Sequence, residues 1–292
     1  MGRACMKTIL VPTEPNAAMA SALDAALLLA KKFDSCIEGF PLRPAVADVV
    51  AMDPDAGMTM VAVKENDADM VRQAEEMFRA FMDGHGIMRR ADEASTRPAA
   101  SAPASLSWTW YGDAPSGHDF VGNYGRVFDI IVLARPGEEW QSPSMITLES
   151  ALFESGRPLL IAPPKSPRSL ATNILIAWNR STEQARATAF AMPLLRLAER
   201  ITILTVEGAT VAGPSGAEMA HSLALNGIAA EPITLSPGKA SAGETILKKA
   251  TDLGCDLLIK GAYTQSRLRQ MIFGGTTRHI LTHAEIPLLM AH

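Results

Sequence analysis

The sequence predicts an α/β protein of two doubly wound domains, each built on a parallel five-stranded sheet. Two observations predict this class. Short, nearly continuous apolar runs alternate with segments of helical periodicity, which is typical of a parallel sheet covered by helices on both faces. In addition, three landmarks of the first half recur in the same order in the second half. The chain of 292 residues, 48% of them hydrophobic, is long enough to give both domains a core.

The repeated landmarks are three short apolar runs. They lie at residues 9–14 and 174–179, at 129–134 and 256–261, and at 158–162 and 287–291. The last two begin 29 residues apart in the first copy and 31 in the second, whereas the first two begin 120 and 82 residues apart. The first copy therefore carries inserts, which we assign to residues 41–63 and 89–105. The proline-rich linker 163–167 separates the predicted domains, residues 1–165 and residues 170–292.

The elements of the first copy follow from local patterns. Two helices are predicted from apolar residues at helical spacing. Their stripes are Met19, Leu23, Leu27 and Ala30, then Met70, Ala74, Met77 and Phe81. Alternation at Leu106, Trp108 and Trp110 predicts a strand, and residues 147–154 read as a helix. The three landmark runs supply the other strands.

The second copy repeats this order. Its first helix carries Ala185, Ala189, Met192 and Leu195, and we expect Pro193 to kink or divide it. Residues 201–206 are a β-branched run that predicts a strand. The remaining predictions are a helix at 218–226 stopped by Gly227, a strand at 233–235, and a helix with Ile246, Leu247, Ala250 and Leu253 ended by Gly254.

Composition narrows the function classes. The net charge of −4 does not provide the positive field that a general binder of nucleic acid or anionic membranes needs. The three cysteines, Cys5, Cys36 and Cys255, are odd in number and far apart, which favours reduced thiols. No apolar run reaches the roughly 18 residues of a membrane span, and no signal peptide is apparent. We therefore expect a cytoplasmic protein with small-molecule or protein partners.

The most informative stretch follows the strand that ends at Lys260. Gly261 and Thr264 begin a long loop, and Gly274, Gly275 and Thr276 open a helix. Glycines allow close approach of the backbone to a ligand, and the first amides of a helix bind anions. The alternative is that the paired glycines only turn the chain into the helix. Ligands of doubly wound sheets bind beyond the carboxyl ends of the strands, which points also to residues 179–181 and 206–208.

This loop resembles the phosphate loop of the universal stress protein family, whose nucleotide-binding branch carries G-x2-G-x9-G-[ST]. Gly261 takes the first position and Gly274 the last, whereas Thr264 replaces the second glycine and Gly275 the Ser or Thr. Thr276 stands one position further on. The resemblance covers residues 7–164 and 172–292. It implies an adenine nucleotide alpha hydrolase-like fold and a site for ATP or AMP, with Mg²⁺ only if ATP is bound.

The resemblance also implies roles for single residues. Asn179, like Glu14 in the first copy, holds the place of an acidic nucleotide contact, and Val206 that of an adenine-side contact. A helix cap for Asn179 and a core position for Val206 are the alternatives. Glu138 and Glu139 follow the corresponding strand of the first copy, where they would repel phosphate, so we expect that copy to be structural or to bind something other than a nucleotide.

The resemblance further implies that the terminal strands 158–162 and 287–291 pair edge to edge. The two halves would then form an internal pseudo-dimer with pseudo-two-fold symmetry, and homodimerisation is left open. Pairing of this kind covers two strand edges that would otherwise be exposed.

We find no catalytic motif, and we predict neither a catalytic residue nor a metal site. His279 and His283 are spaced for one helix face but lack a third ligand in the sequence around them. Lys260 either meets an anionic ligand or extends to water. The expected function is a non-enzymatic stress-response protein that binds a nucleotide and a protein partner. The alternatives are a slow ATPase or nucleotide hydrolase, or a carrier of an apolar small molecule lined by Met52, Met58 and Met60.

Overall fold

A computed structural model describes residues 6–43, 60–90, 105–136, 145–262 and 275–292, with only the backbone of 60–66. The chain divides into two compact units, Met6–Arg157 and Pro158–His292. Each unit is an α/β structure with a mostly parallel sheet, as the sequence predicts. In the described ranges, no helix is both long and apolar enough to cross a membrane.

The unit Met6–Arg157 begins with the strand β1 and alternates strands with helices. Its described elements are β1 (Thr8–Thr13), α1 (Met19–Phe33), β2 (Cys36–Pro41), α2 (Met60–Gly84), β3 (Met88–Arg89), β4 (Ser107–Trp110), α3 (Asp119–Gly125), β5 (Ile130–Ala134) and α4 (Met145–Glu154). The strands lie in the order β3-β4-β2-β1-β5 and pair in parallel. Chain order and spatial order therefore reverse at β1.

The unit Pro158–His292 has the same plan with one added strand. Its described elements are β6 (Leu159–Ala162), β7 (Asn173–Ala177), α5 (Thr182–Phe190), α6 (Met192–Leu195), β8 (Arg200–Val206), α7 (Gly216–Leu225), β9 (Glu231–Leu235), α8 (Ala242–Asp252), β10 (Leu257–Gly261), α9 (Gly275–His283) and β11 (Leu288–Ala291). The order is β6-β11-β10-β7-β8-β9. Only the β6–β11 pair is antiparallel among these, with Leu289 opposite Leu160, which confirms the predicted pairing of the terminal strands.

An aspartate at the same place in each unit holds the start of its central strand. The Asp129 carboxylate accepts hydrogen bonds from the amides of Lys7 and Thr8, at 2.6 and 3.0 Å, where β1 begins. In the other unit the Asp256 carboxylate accepts from the amides of Thr172 and Asn173, both at 2.8 Å, where β7 begins. Each carboxylate satisfies amides that the sheet leaves unpaired, so the same device holds the central strand in both copies.

The helix predictions are confirmed, but two buried faces differ from expectation. The α1 stripe is buried as predicted. In α2 the buried side chains are Ala74, Phe78 and Met82, one position along from most of the predicted stripe. Phe78 sets this register, because its ring lies over Gly39 of β2, where an added Cβ would come within 2.5–2.7 Å of it.

The first helix of the second copy is divided as Pro193 predicts, since α5 ends at Phe190 and α6 begins at Met192. The predicted inward positions Ala185 and Ala189 are wrong, because both are exposed. Gln184, Ala187 and Thr188 are buried instead. A polar side chain takes the inward position because it forms hydrogen bonds with the backbone of β10, described below.

Candidate functional site

Three neighbouring strands end at one edge of the sheet in the unit Pro158–His292. β10, β7 and β8 lie side by side in that order. Gly261 ends β10, Asn179 follows β7 by two residues, and Val206 ends β8. Strand order reverses at β7, so the connections leave it in both directions and a crevice forms beside its carboxyl end. The structure thus brings these three predicted site residues to the place where doubly wound sheets bind ligands.

Asn179 shapes the turn between β7 and α5 and does not cap the helix. Its Oδ1 accepts a hydrogen bond from the Ser181 amide at 3.2 Å. The cap is Ser181, whose hydroxyl accepts from the Gln184 amide at 3.1 Å. The alternative role as a cap is therefore wrong. Asn179 is half-buried at the strand end, in the position the family resemblance implies.

The loop after β8 folds against the end of β7. The Val211 amide donates to the Asn179 carbonyl at 3.1 Å, and the Trp178 indole donates to the Pro214 carbonyl at 2.9 Å. Arg180, which follows Asn179, adopts a left-handed conformation, with φ of 69°. The Arg180 Nε is buried without a hydrogen-bond partner in the described part of the chain. An unsatisfied charged donor beside the crevice favours a ligand with oxygen acceptors.

Val206 lies on the β8 side of the crevice and is 4% exposed. It pairs with Leu235 of β9, and its carbonyl accepts from the Ala209 amide at 3.2 Å. Gly208, with φ of 76°, then turns the chain. The burial of Val206 agrees with a core position, and Val206 also lies at the strand end, where the family resemblance implies a ligand contact.

Gly261 is required by packing. Its amide donates to Gln184 Oε1 at 2.7 Å, and Gln184 Nε2 approaches the Ile259 carbonyl at 3.4 Å. A Cβ at position 261 would lie 2.6 Å from the Gln184 Cα and would overlap the Gln184 amide nitrogen. The first turn of α5 therefore rests directly on the end of β10. Gln184 is a residue that sequence reasoning missed, although the spacing Ser181 to Gln184 is that of a capping motif.

Lys260 is buried beside Gly261. It is 5% exposed, so the prediction that its amine extends to water is wrong. The ammonium donates to the Gly261 carbonyl at 2.7 Å. Burial lowers the pKa of Lys260 to about 8, and the negative charge of Glu183 opposes this fall. A buried cation therefore lies at the carboxyl end of β10.

Glu183 in the first turn of α5 also faces this cluster. Burial alone would raise the pKa of its carboxyl, but its own backbone amide, Thr182, Ser181 and the positive charge of His292 together lower it. The Glu183 Oε2 is buried without a hydrogen-bond partner in the described residues. His292 Nδ1 lies 3.2 Å from the Ala262 carbonyl. Three titratable side chains thus gather around the ends of β10 and β11.

The helix α9 begins at Gly275, and Thr276 lies half-buried in its first turn. A Cβ at Gly275 would meet open space, so this position can accept a side chain. Thr264 and Gly274 lie outside the described residues. The structure therefore describes the second part of the predicted phosphate loop, the start of α9, together with its anchor at Gly261.

In the other unit, Glu14 follows β1 as Asn179 follows β7. Burial raises the pKa of its carboxyl to about 7, although a hydrogen bond from Asn16 Nδ2 at 3.1 Å acts in the opposite direction. Glu138 and Glu139 lie outside the described residues, as do Met52 and Met58 and the side chain of Met60. A carboxyl with a raised pKa thus takes the place of the second unit's asparagine.

The described ranges contain no cluster of three or more His, Cys, Asp or Glu side chains that could hold a metal ion. His279 and His283 stack with ring centroids 4.3 Å apart, and His283 Nδ1 lies 2.9 Å from the His279 carbonyl. Cys36 and Cys255 are free thiols, and burial raises the pKa of the Cys255 thiol to about 11. The buried Cys255 is therefore unreactive at neutral pH.

Comparisons with known proteins bear on this unit and on nearly the whole chain. The model of the universal stress protein family matches residues 171–292. A universal stress protein from Archaeoglobus fulgidus is similar in structure, with a TM-score of 0.69, 14% identity and 97% of each chain covered. A functionally unknown protein from Pseudomonas aeruginosa gives a TM-score of 0.50 at 13% identity, covering 98% of this chain and 92% of its own. Both show the fold. Among curated proteins, none matches the chain significantly.

Proposed function

Residues 171–292 belong to the universal stress protein family, and from this premise we propose that the chain is a stress-response protein whose second unit binds an adenine nucleotide. One observation carries the proposal: Asn179, Val206 and Gly261 end three neighbouring strands beside the reversal of strand order. The ligand is ATP or AMP, with Mg²⁺ accompanying ATP. The bound state is read by a protein partner in the cytoplasm.

The chemistry of the crevice supports a phosphorylated ligand. The Asn179 amide can both donate to and accept from a ribose or a base edge. The first turn of α9, with the Gly275 amide and the Thr276 hydroxyl, offers donors to phosphate oxygens. Lys260 and the unsatisfied Arg180 Nε add positive charge at the same end of the sheet. Acceptors on the ligand would satisfy donors that lack a partner in the described residues.

The same residues argue for binding without turnover. A general base must accept a proton from the attacking water, and a neutral asparagine at position 179 cannot do so. Glu183 is the nearby carboxylate, but its hydrogen bonds lower its pKa and make it a weak base. We therefore propose that the output of the protein is the bound state itself, passed on by protein interaction.

The direct test is isothermal titration with ATP, with and without Mg²⁺, and with AMP. The Gly275→Trp variant places an indole at the start of α9, where an added Cβ would meet no described atom within 4 Å. Gly84→Trp is the matched control, because position 84 at the end of α2 is equally open and lies in the other unit. We expect one-site binding in the wild type and in Gly84→Trp, and its loss in Gly275→Trp. No binding up to millimolar nucleotide would refute the proposal.

A further inference from the structure

The burial of Lys260 calls for a reason beyond packing. Its neighbour across the β10–β11 pair is Met290, an unbranched apolar side chain that is fully buried. A methionine at position 260 could fill the same kind of space without removing an ammonium group from water. Burial of a charge is unfavourable unless the charge finds partners, and lysines are seldom fully buried without them.

The described residues supply only part of what the ammonium requires. An ammonium group has three donors, and in the described residues Lys260 makes one hydrogen bond, to the Gly261 carbonyl. Glu183 attracts it across space without a hydrogen bond between the two side chains. Hydrogen bonds with Ser241 lower the pKa of Glu244 in α8, and the charges of His279 and His283 in α9 add to this effect. These histidines therefore interact with Glu244 instead of Lys260. Among the described residues, the counter-charge of Lys260 is thus a carboxylate that forms no hydrogen bond with it.

The position of Lys260 identifies where the missing partner would lie. Consecutive residues of a strand point to opposite faces of the sheet. Position 261 faces the first turn of α5, so the Lys260 side chain leaves β10 on the opposite face and bends back to the strand end. The ammonium therefore lies at the carboxyl edge, where the ligand of the proposed site would be held.

We propose that Lys260 selects anionic ligands in this crevice, and that its buried ammonium is the counter-charge of a phosphate group. The inference rests on the proposed nucleotide site and assigns the charge preference of that site to one residue. A charge in a water-poor environment acts over several ångströms, so direct contact is not required. Ligands with more phosphate groups should then bind more tightly, and an uncharged nucleoside should gain nothing from Lys260.

The test compares ATP, AMP and adenosine by isothermal titration in the wild type, Lys260→Met and Lys248→Met. Lys248 is exposed on α8 and provides the control for loss of one charge. We expect Lys260→Met to weaken ATP binding by about tenfold or more and to leave adenosine unchanged. Lys248→Met should change neither. Circular dichroism of each variant confirms that it is folded.

A pH series provides an independent readout. The nucleotide phosphates are already ionised above about pH 7.5. As the pH rises from about 7.5 to about 9.5, the wild-type preference for ATP over adenosine should fall as the ammonium loses its proton, whereas that of Lys260→Met should stay flat. Equal losses of ATP and adenosine, or unchanged ATP binding in Lys260→Met, would overturn the inference while leaving nucleotide binding intact. A wild type that binds none of the three ligands would remove the proposed function and this inference with it.

Discussion

Replacing Lys260 by methionine should stabilise the protein at neutral pH. Burial lowers the pKa of Lys260 from 10.5 to about 8. At about 1.4 kcal/mol per pH unit, this fall means that the charged form weakens the folded state by about 3 kcal/mol. Because Met290 shows that the sheet accommodates an unbranched apolar side chain beside position 260, Lys260→Met should recover most of that free energy of unfolding.

The stabilisation by Lys260→Met should decrease as the pH rises. The unfolded chain keeps this proton up to about pH 10.5, whereas the folded chain keeps it only up to about 8. Between these values the unfolded state binds more protons, so wild-type stability rises with pH. The advantage of Lys260→Met should therefore be greatest below about pH 8 and should shrink as the pH approaches 10.5.

Urea denaturation at several pH values measures the difference, and hydrogen exchange of peptides from β7 and β10 reports on their unit separately. Lys239→Met is the matched control, since Lys239 is exposed in the loop before α8. Lys239→Met keeps every other titratable group of the wild type, so its free energy of unfolding should not increase. A Lys260→Met protein that is less stable than the wild type at pH 7, or whose advantage does not change with pH, would refute the reasoning.

Three further predictions test the structure. Gly261→Ala should lower the free energy of unfolding by about 1–3 kcal/mol, because the new methyl group overlaps the backbone of Gln184, whereas Gly275→Ala should be tolerated in thermal denaturation. Glu14→Gln should remove the loss of stability that the wild type shows as the pH rises from 4.5 to about 7, measured as the melting temperature at each pH; an unchanged slope would contradict the raised pKa. Asp256→Ala should cost about 1–3 kcal/mol in urea denaturation, because two amides at the start of β7 lose their acceptor, and a neutral result would show that water replaces it.

The order of strands and helices was predictable because the spacing of the apolar residues differs between strands and helices. The β-branched run at 201–206 became β8, and Pro193 divided the helix where its ring excludes a helical hydrogen bond. The similar plan of the two units was predictable from three similar apolar runs that recur in the same order. Such patterns are local, and each segment of sequence contains them in full.

The inward face of α5 was not predictable, since it depends on a partner distant in the chain. Gln184 is buried because its side-chain amide forms hydrogen bonds with the Gly261 amide and the Ile259 carbonyl. The residues next to Gln184 in the sequence do not indicate that contact. The register of α2 depends in the same way on Phe78 meeting Gly39. Lys260 is the third case. Its charge left open whether the ammonium meets an anionic ligand or extends to water, and its place within the strand decides its burial.

The pairing of β6 with β11 bears on how the second unit can be produced as a separate protein. The family match begins at residue 171, which suggests a natural place to cut the chain. A fragment starting there would lose β6 and leave β11, a strand of four buried residues, as an open edge of the sheet. Unpaired edges recruit other chains, so such a fragment should self-associate in solution. A fragment that begins at Pro158 keeps β6 paired with β11.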